Sequence, residues 1–375
     1  MASYDIFDEK YYLSQYPWVK PAIDSGIIKS GKEHFEKYGQ AGGLTAVSRY
    51  FDEQTYLAQN PDIAPLVRTP NNPNALFTSG LDHFIQFGYE EGRTRVSPDY
   101  DEAFYVATNR DLQPFIQNGT FKNGYQHFIQ FGTRDDGRFG TSFSEPEYFK
   151  KNPDIVPFVN SGALKTGREH YFNFGKNEPN RSATFIGSSG NDILTGSGVG
   201  NVELIGVEIG IGRPFGFGSG GNRLYESDGS NEFDTLIGGR GRDTFALGGE
   251  TTTSTRIPIG SIQFYIGPGF ATIRNFTQGQ DTIQLGRSLT LSDNLLEPMS
   301  PSESYLDTFS VFPINNGRDL AIQTKDFRNL SRNGVLSISN SDTIAVIEGG
   351  GNLTFNQLPS PSAFRGAFTF TFLIG

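Results

Sequence analysis

The sequence predicts an α+β chain in two domains, an array of short-helix repeats followed by a glycine-rich β domain. Three observations carry that reading. All four histidines, His34, His83, His127 and His170, occupy one position of an internal repeat, reading HFEKYG, HFIQFG, HFIQFG and HYFNFG at spacings of 49, 44 and 43 residues. The texture then changes abruptly at Thr184, after which Gly, Thr, Ser and β-branched residues dominate and Lys325 is the only lysine. In that second half one phrase recurs, an Asp, any residue, then an apolar residue, at Asp192, Asp234, Asp243, Asp281 and Asp342.

The first half, residues 1–183, divides into four units at about 7–50, 51–99, 100–142 and 143–183. Each opens on an acidic-aromatic phrase (FDEKYYLSQYP, FDEQTYLAQNP, YDEAFYVATNR, FSEPEYFKKNP). Apolar residues three and four apart, as in Tyr12, Leu13 and Tyr16, have helical spacing. Pro17, Pro61 and Pro153 stop that helix and suit the first turn of the next. The histidine phrase ends at Gly39, Gly88, Gly132 and Gly175, which read as left-handed C-caps. Each unit is therefore two or three short helices, with a period near that of helical solenoids. The insertion TPNNPNALF at 69–77 is expected to bulge from the second unit. Stacked units would set the histidines in a row at about 10 Å per layer. That is too far apart to share an ion, so each is read as a structural residue hydrogen-bonded within its own unit.

The pattern Tyr-x-x-x-Asn-Pro-Asp, a gap, then His-Phe-x-x-Phe/Tyr-Gly-x-x-x-Gly-Arg is fullest from Tyr56 through Asn60-Pro61-Asp62 to His83-Phe84, Gly88 and Gly92-Arg93. It resembles repeats of large secreted and surface proteins of cyanobacteria and some proteobacteria, over roughly residues 7–182. The fourth unit keeps Asn152-Pro153-Asp154 but loses the Gly-Arg ending, and the first has Tyr16-Pro17-Trp18 instead. The resemblance implies location and architecture more than chemistry.

Residues 184–375 read as β structure, with short alternating runs such as Thr369-Phe370-Thr371-Phe372. GSSGNDILT at 187–195 and GGRGRDTFA at 238–246 fill much of the calcium β-roll nonapeptide, and GSNEFDTLI at 229–237 keeps a Gly, the Asp and the Leu. In such a unit glycines permit a left-handed loop, carbonyls and the Asp supply hard oxygen ligands, and the apolar residue packs inward. Gly187, Gly190, Asp192, Asp234, Gly238, Gly241 and Asp243 are thus the candidate calcium site. If the glycine-rich stretch 196–228 loops out, Asp192 and Asp243 face one ion. The alternative is a vestigial roll in which each Asp caps a turn through backbone. Arg240 and Arg242 beside Asp243 favour it, since positive charge opposes a cation.

These blocks, with Ile273-Arg274-Asn275-Phe276 through Asp281 to Leu285, resemble the hemolysin-type, repeats-in-toxin family and calcium-binding-like domains of cyanobacteria, over roughly 184–350. The resemblance implies calcium as cofactor and export by a one-step route that reads a C-terminal signal. The start MASYDIFDEKYYLSQYPW lacks the pattern of a signal peptide, and no 18-residue apolar run predicts a membrane span. The expected address is therefore extracellular or cell-surface.

Charge and composition exclude several functions. Residues 1–183 carry 19 Lys+Arg against 23 Asp+Glu, a balance of -4; subtraction from 31 and 41 leaves 12 against 18, or -6, for 184–375. No basic surface for nucleic acid is present. Zero Cys excludes thiolate chemistry. No Gly-x-Ser-x-Gly, phosphate-loop or His-Glu-x-x-His motif occurs, and Glu145, Glu147, Glu203 and Glu208 are scattered, so no enzyme is expected. The expected function is a self-associating structural protein of a filament, sheath or matrix, with Ala367 to Ile374 as a strand that either completes a neighbour's sheet or pairs within its own domain. The alternative is an adhesin that binds glycan or protein through aromatic residues of the helical half.

Overall fold

The computed structural model describes residues 4–134, 138–209, 227–250, 261–286, 289–292, 295–298, 309–325, 327–330, 336–339, 341–353, 356–357 and 370–373. The fold is α+β. It divides into two compact units, one of residues 1–141 and 153–170, the other of 142–152 and 171–375. Among the described residues no helix is long and apolar enough to cross a membrane.

In the helical unit the opening helices are Glu9–Gln15, Glu53–Gln59 and Glu102–Thr108. Asp8, Asp52 and Asp101 cap them by accepting from the amides of Tyr11, Thr55 and Phe104. The histidine helices begin at Gly31, Gly80 and Gly124, capped by Ser30, Ser79 and Asn123. A second capping bond crosses within each repeat. Glu9 accepts from the amides of Gly31 and Lys32, Glu53 from Gly80 and Leu81, and Glu102 from Gly124 and Tyr125. One carboxylate per repeat thus satisfies the free N–H groups of the second helix and fixes it to the first.

The glycines that close the histidine phrase are not left-handed caps. Gly39 and Gly88 end π-helical turns, Phe35–Gly39 and Phe84–Gly88, and neither has positive φ. They are glycine because a Cβ there would collide with the hydroxyl of Tyr12 or Tyr56. The insertion is held at its base, where Arg68 N–H donates to Phe77 O and Phe77 N–H to Leu66 O. Residues 68–74 are exposed, while Phe77 is buried.

The expected open stack does not form. Gln15 donates to the carbonyl of Gly162, Arg49 to those of Leu164 and Lys165, and Lys165 pairs with Asp52 at 2.9 Å. Gln130 reaches Asp5 at 2.9 Å, and Thr166 reaches Asp99. First and fourth repeats therefore touch, and the unit closes around one apolar cluster running from Ile6 to Ile129. Closure removes the bare end faces that a linear array of so few repeats would leave in water.

The second unit is a roll. Strands β1 (Ser182–Ile186), β2 (Ile193–Thr195), β3 (Asn201–Ile205), β4 (Phe233–Ile237) and β5 (Thr244–Ala246) alternate between two sheets. After the hairpin β6 (Gly248–Glu250) and β7 (Ser261–Gln263), β8 (Phe270–Arg274) and β9 (Thr282–Leu285) continue the alternation. So β1, β3, β5 and β9 are parallel neighbours in one sheet, and β2, β4 and β8 in the other. Hairpins β10 (Leu289–Ser292) with β11 (Leu295–Pro298), and β14 (Phe327–Leu330) with β15 (Leu336–Ser339), form separate two-stranded sheets. Strands β12 (Phe309–Ile314), β13 (Asp319–Thr324) and β16 (Thr343–Ile347) extend the second sheet beyond β8. β17 (Asn356–Gln357) and β18 (Phe370–Leu373) extend the first beyond β9.

The apolar residue of each Asp-x-apolar phrase points inward, as expected. Leu194, Leu236, Ile273 and Ile347 stack in register in one sheet, and Leu204, Phe245 and Ile283 in the other, all buried. Burying each such side chain contributes about 1.5–3 kcal/mol.

Two boundaries differ from expectation. The roll's compact unit begins at 142, before the change of texture at 184, because the fourth repeat's opening helix, Glu145–Lys151, lies along β1. Phe143 bridges Phe185, Ser144 N–H donates to Thr184 O, and the rings of Phe143, Tyr148, Tyr171 and Phe185 pack together. This covers an edge strand that would otherwise present free backbone groups. At the other end, of the two readings of the C-terminal strand, the within-domain one holds: β18 pairs antiparallel with β9 of its own chain. Residues 367–369 and 374 of that expected strand, and most of the glycine-rich stretch 206–221, lie outside the described residues.

Candidate functional site

The candidate calcium residues form two carboxylate stacks, one in each sheet. In the second sheet Asp192 lies beside Asp234, whose Oδ1 accepts the Asp192 amide at 2.8 Å. In the first sheet Asp243 lies beside Asp281, whose Oδ1 accepts the Asp243 amide at 2.9 Å, while Asp243 Oδ1 accepts from Val202. The other oxygen turns back into its own loop. Oδ2 of Asp192, Asp243 and Asp281 accepts the amide four residues earlier, from Ser188, Gly239 and Thr277, at 2.6, 2.6 and 2.8 Å. Asp234 Oδ2 instead takes the hydroxyl of buried Tyr265 at 2.6 Å. Asp243 and Asp281 thus each cap their own loop and tie it to the adjacent coil, whereas the Asp192 carboxyl caps its own loop and that of Asp234 ties its coil to the adjacent one and to Tyr265.

The expected pairing of Asp192 with Asp243 is not formed. The stretch 196–228, read as a loop-out, contains β3, which occupies a place in the first sheet and adds a half-coil. Same-side loops are two half-coils apart, so Asp192 meets Asp234 instead. Asp281, outside the predicted site, takes the fourth place; its own Asp-x-apolar phrase marks it. The glycines serve differently from expectation as well. Gly187, Gly190, Gly238 and Gly241 do not have positive φ. A Cβ on Gly187 would strike the Gly206 carbonyl and one on Gly241 the Gly200 carbonyl, so these two let adjacent chain segments touch. Gly238 borders Asp243 Oδ2, and Gly190 has room for a side chain.

Burial dominates the electrostatics. It raises the Asp234 carboxyl to about 7, against the opposing Tyr265 bond, and Asp243 to about 6 with Asp281 adding to the rise. Glu232, buried next to Asp234 with Ser227 at 3.4 Å, is raised to about 8 by burial first and Asp234 second. Asp192 and Asp281 are also raised by burial. Carboxylates have the right chemistry for calcium. Their oxygens here accept amides and a tyrosine hydroxyl, and no three acidic or histidine groups converge to hold a metal among the described residues. The residues therefore fit an ion-free roll better than a calcium cage.

The histidines are placed as hydrogen-bonding members of their repeats. Nδ1 of His34, His83 and His127 lies 2.7, 2.8 and 2.9 Å from the hydroxyls of Tyr12, Tyr56 and Tyr105. Burial lowers the pKa of His34 and His83, which favours the neutral ring that accepts from tyrosine. The Asn-Pro-Asp and Gly-Arg phrases meet in space. Arg93 donates to Asn60 and to both oxygens of Asp62, and Arg138 repeats this on Asn109 and Asp111. Of the scattered glutamates, Glu147 pairs with Lys150 and Glu203 with Lys151.

Comparison with protein-family models, with curated proteins and with solved structures finds no match to this chain.

Proposed function

We propose that this protein is a secreted, non-enzymatic structural component of an extracellular filament, sheath or matrix, and that it associates with copies of itself. The observation that carries the reading is where its chemically capable side chains go. His34, His83 and His127 hold helices together within repeats, and Asp234, Asp243 and Asp281 of the roll hold coil to coil. The extracellular address rests on the resemblance of both halves to secreted surface repeats. Calcium is not required in this reading, because the oxygens of the Asp192–Asp234 and Asp243–Asp281 pairs accept amides and a tyrosine hydroxyl.

The contact we favour is the β2 edge of the roll. Among the described residues β2 ends its sheet, and Ile193 there is 74 % exposed beside half-exposed Phe233 on β4. Unpaired strand edges with apolar residues template pairing with another chain. Sedimentation velocity tests it: the wild type forms concentration-dependent oligomers, and Ile193→Lys with Phe233→Lys returns it to monomer without loss of fold. A wild type that is monomeric at every concentration refutes self-association.

A further inference from the structure

We infer that the helical unit carries three equivalent sites for a neutral polysaccharide, one beside each of His34, His83 and His127. The inference goes beyond the structural role and does not depend on self-association. In each HFxxFG phrase the first ring, Phe35, Phe84 or Phe128, is buried. The second does the opposite: Tyr38, Phe87 and Phe131 are 60, 47 and 49 % exposed. An aromatic ring held in water at the same position of these three repeats has no part in the core.

Each ring is held in place. Tyr38, Phe87 and Phe131 lie 5.8, 6.0 and 5.5 Å from the histidine ring, which the buried tyrosine fixes in turn. A further ring meets the same histidine edge-on, Trp18 at 5.1 Å, Phe77 at 4.8 Å and Phe121 at 5.2 Å. Trp18 is itself 60 % exposed. A rigid flat face contacts the CH face of a sugar ring at small entropic cost.

Charge selects the class of polymer. In the same repeats Lys37 pairs with Glu33, Arg93 with Asp62, and Arg138 with Asp111. These pairs offer hydrogen-bonding groups to hydroxyls without an unbalanced charge of their own. The first 183 residues carry a balance of -4, from 19 Lys+Arg and 23 Asp+Glu, which disfavours an acidic polymer. Three like sites on one unit suit a ligand that repeats, because linked weak contacts gain by effective concentration.

Affinity electrophoresis in gels containing soluble starch, xyloglucan, galactomannan or, as acidic control, alginate tests the inference. At least one neutral polymer should retard the wild type and alginate should not. Tyr38→Ala, Phe87→Ala and Phe131→Ala should each weaken retardation by roughly tenfold, and cumulatively. Phe87→Leu, which keeps apolar bulk and loses the flat face, should weaken it as Phe87→Ala does, while thermal unfolding shows both variants folded. No retardation by any neutral polymer, or an unaffected triple variant, overturns the inference. If the triple variant instead loses oligomerisation in sedimentation while wild type binds no polymer, the face belongs to a second copy and the inference fails, whereas the structural reading stands.

Discussion

Tyr56 and His83 make a buried bond that recurs as Tyr12–His34 and Tyr105–His127. Removing the hydroxyl by Tyr56→Phe leaves the imidazole nitrogen without its partner. It should cost about 1–3 kcal/mol in denaturant unfolding. Gly88→Ala should destabilise by about 1–3 kcal/mol through overpacking against the same hydroxyl. The pH response follows from the lowered pKa of His34 and His83. The unfolded chain binds these protons more readily, so their contribution is present above the ordinary value of 6.5 and is lost as pH falls below it. Thermal unfolding of the helical unit should therefore shift down between pH 7 and pH 5; an unchanged midpoint contradicts neutral, buried histidines. The residue pattern displayed the histidines as repeat marks. It did not display the tyrosine partner, 22 or 27 residues upstream, because many tyrosines share that helical phrase.

At the scale of elements, the roll stands on inward apolar stacks and carboxylate caps. Leu236→Ala removes a fully buried member of one stack and should cost about 2–5 kcal/mol. Asp234, Asp243 and Glu232 have raised pKa values, so the sign is opposite to that of the histidines. Their stabilising effect is complete when they are protonated and is lost as pH rises through about 6 to 8. Millimolar calcium near pH 8 should leave the unfolding temperature of the roll unchanged, whereas binding at the two aspartate pairs would raise it by mass action. No shift assigns these carboxylates to backbone capping alone. Much of this was legible in sequence: the Asp-x-apolar phrase located β2, β4, β5 and β9, each beginning within one residue of its Asp. The parity of the coils was not, because NVELI at 201–205 carries no Asp and sits in a glycine-rich stretch. That one unrecognised strand moved Asp192 from one side of the roll to the other.

At the scale of the whole molecule, repeat number and the α+β division were readable from the histidine spacing and the change at Thr184. Closure of the helical unit was not. It depends on polar contacts such as Gln15 to Gly162 and Lys165 to Asp52, between residues more than 100 positions apart with no periodic signature. The fourth repeat's membership in both compact units was equally hidden, since its sequence is helical while its aromatic rings pack against β1. A linear solenoid would offer open ends for indefinite growth. A closed unit does not, so assembly in the proposed structural role falls to the roll and its β2 edge. Sedimentation velocity of the full chain, wild type against Ile193→Lys with Phe233→Lys, tests this most directly. The wild type should form oligomers that grow with concentration, and the variant should be a folded monomer. A wild-type monomer throughout, or a variant that assembles equally well, would contradict it.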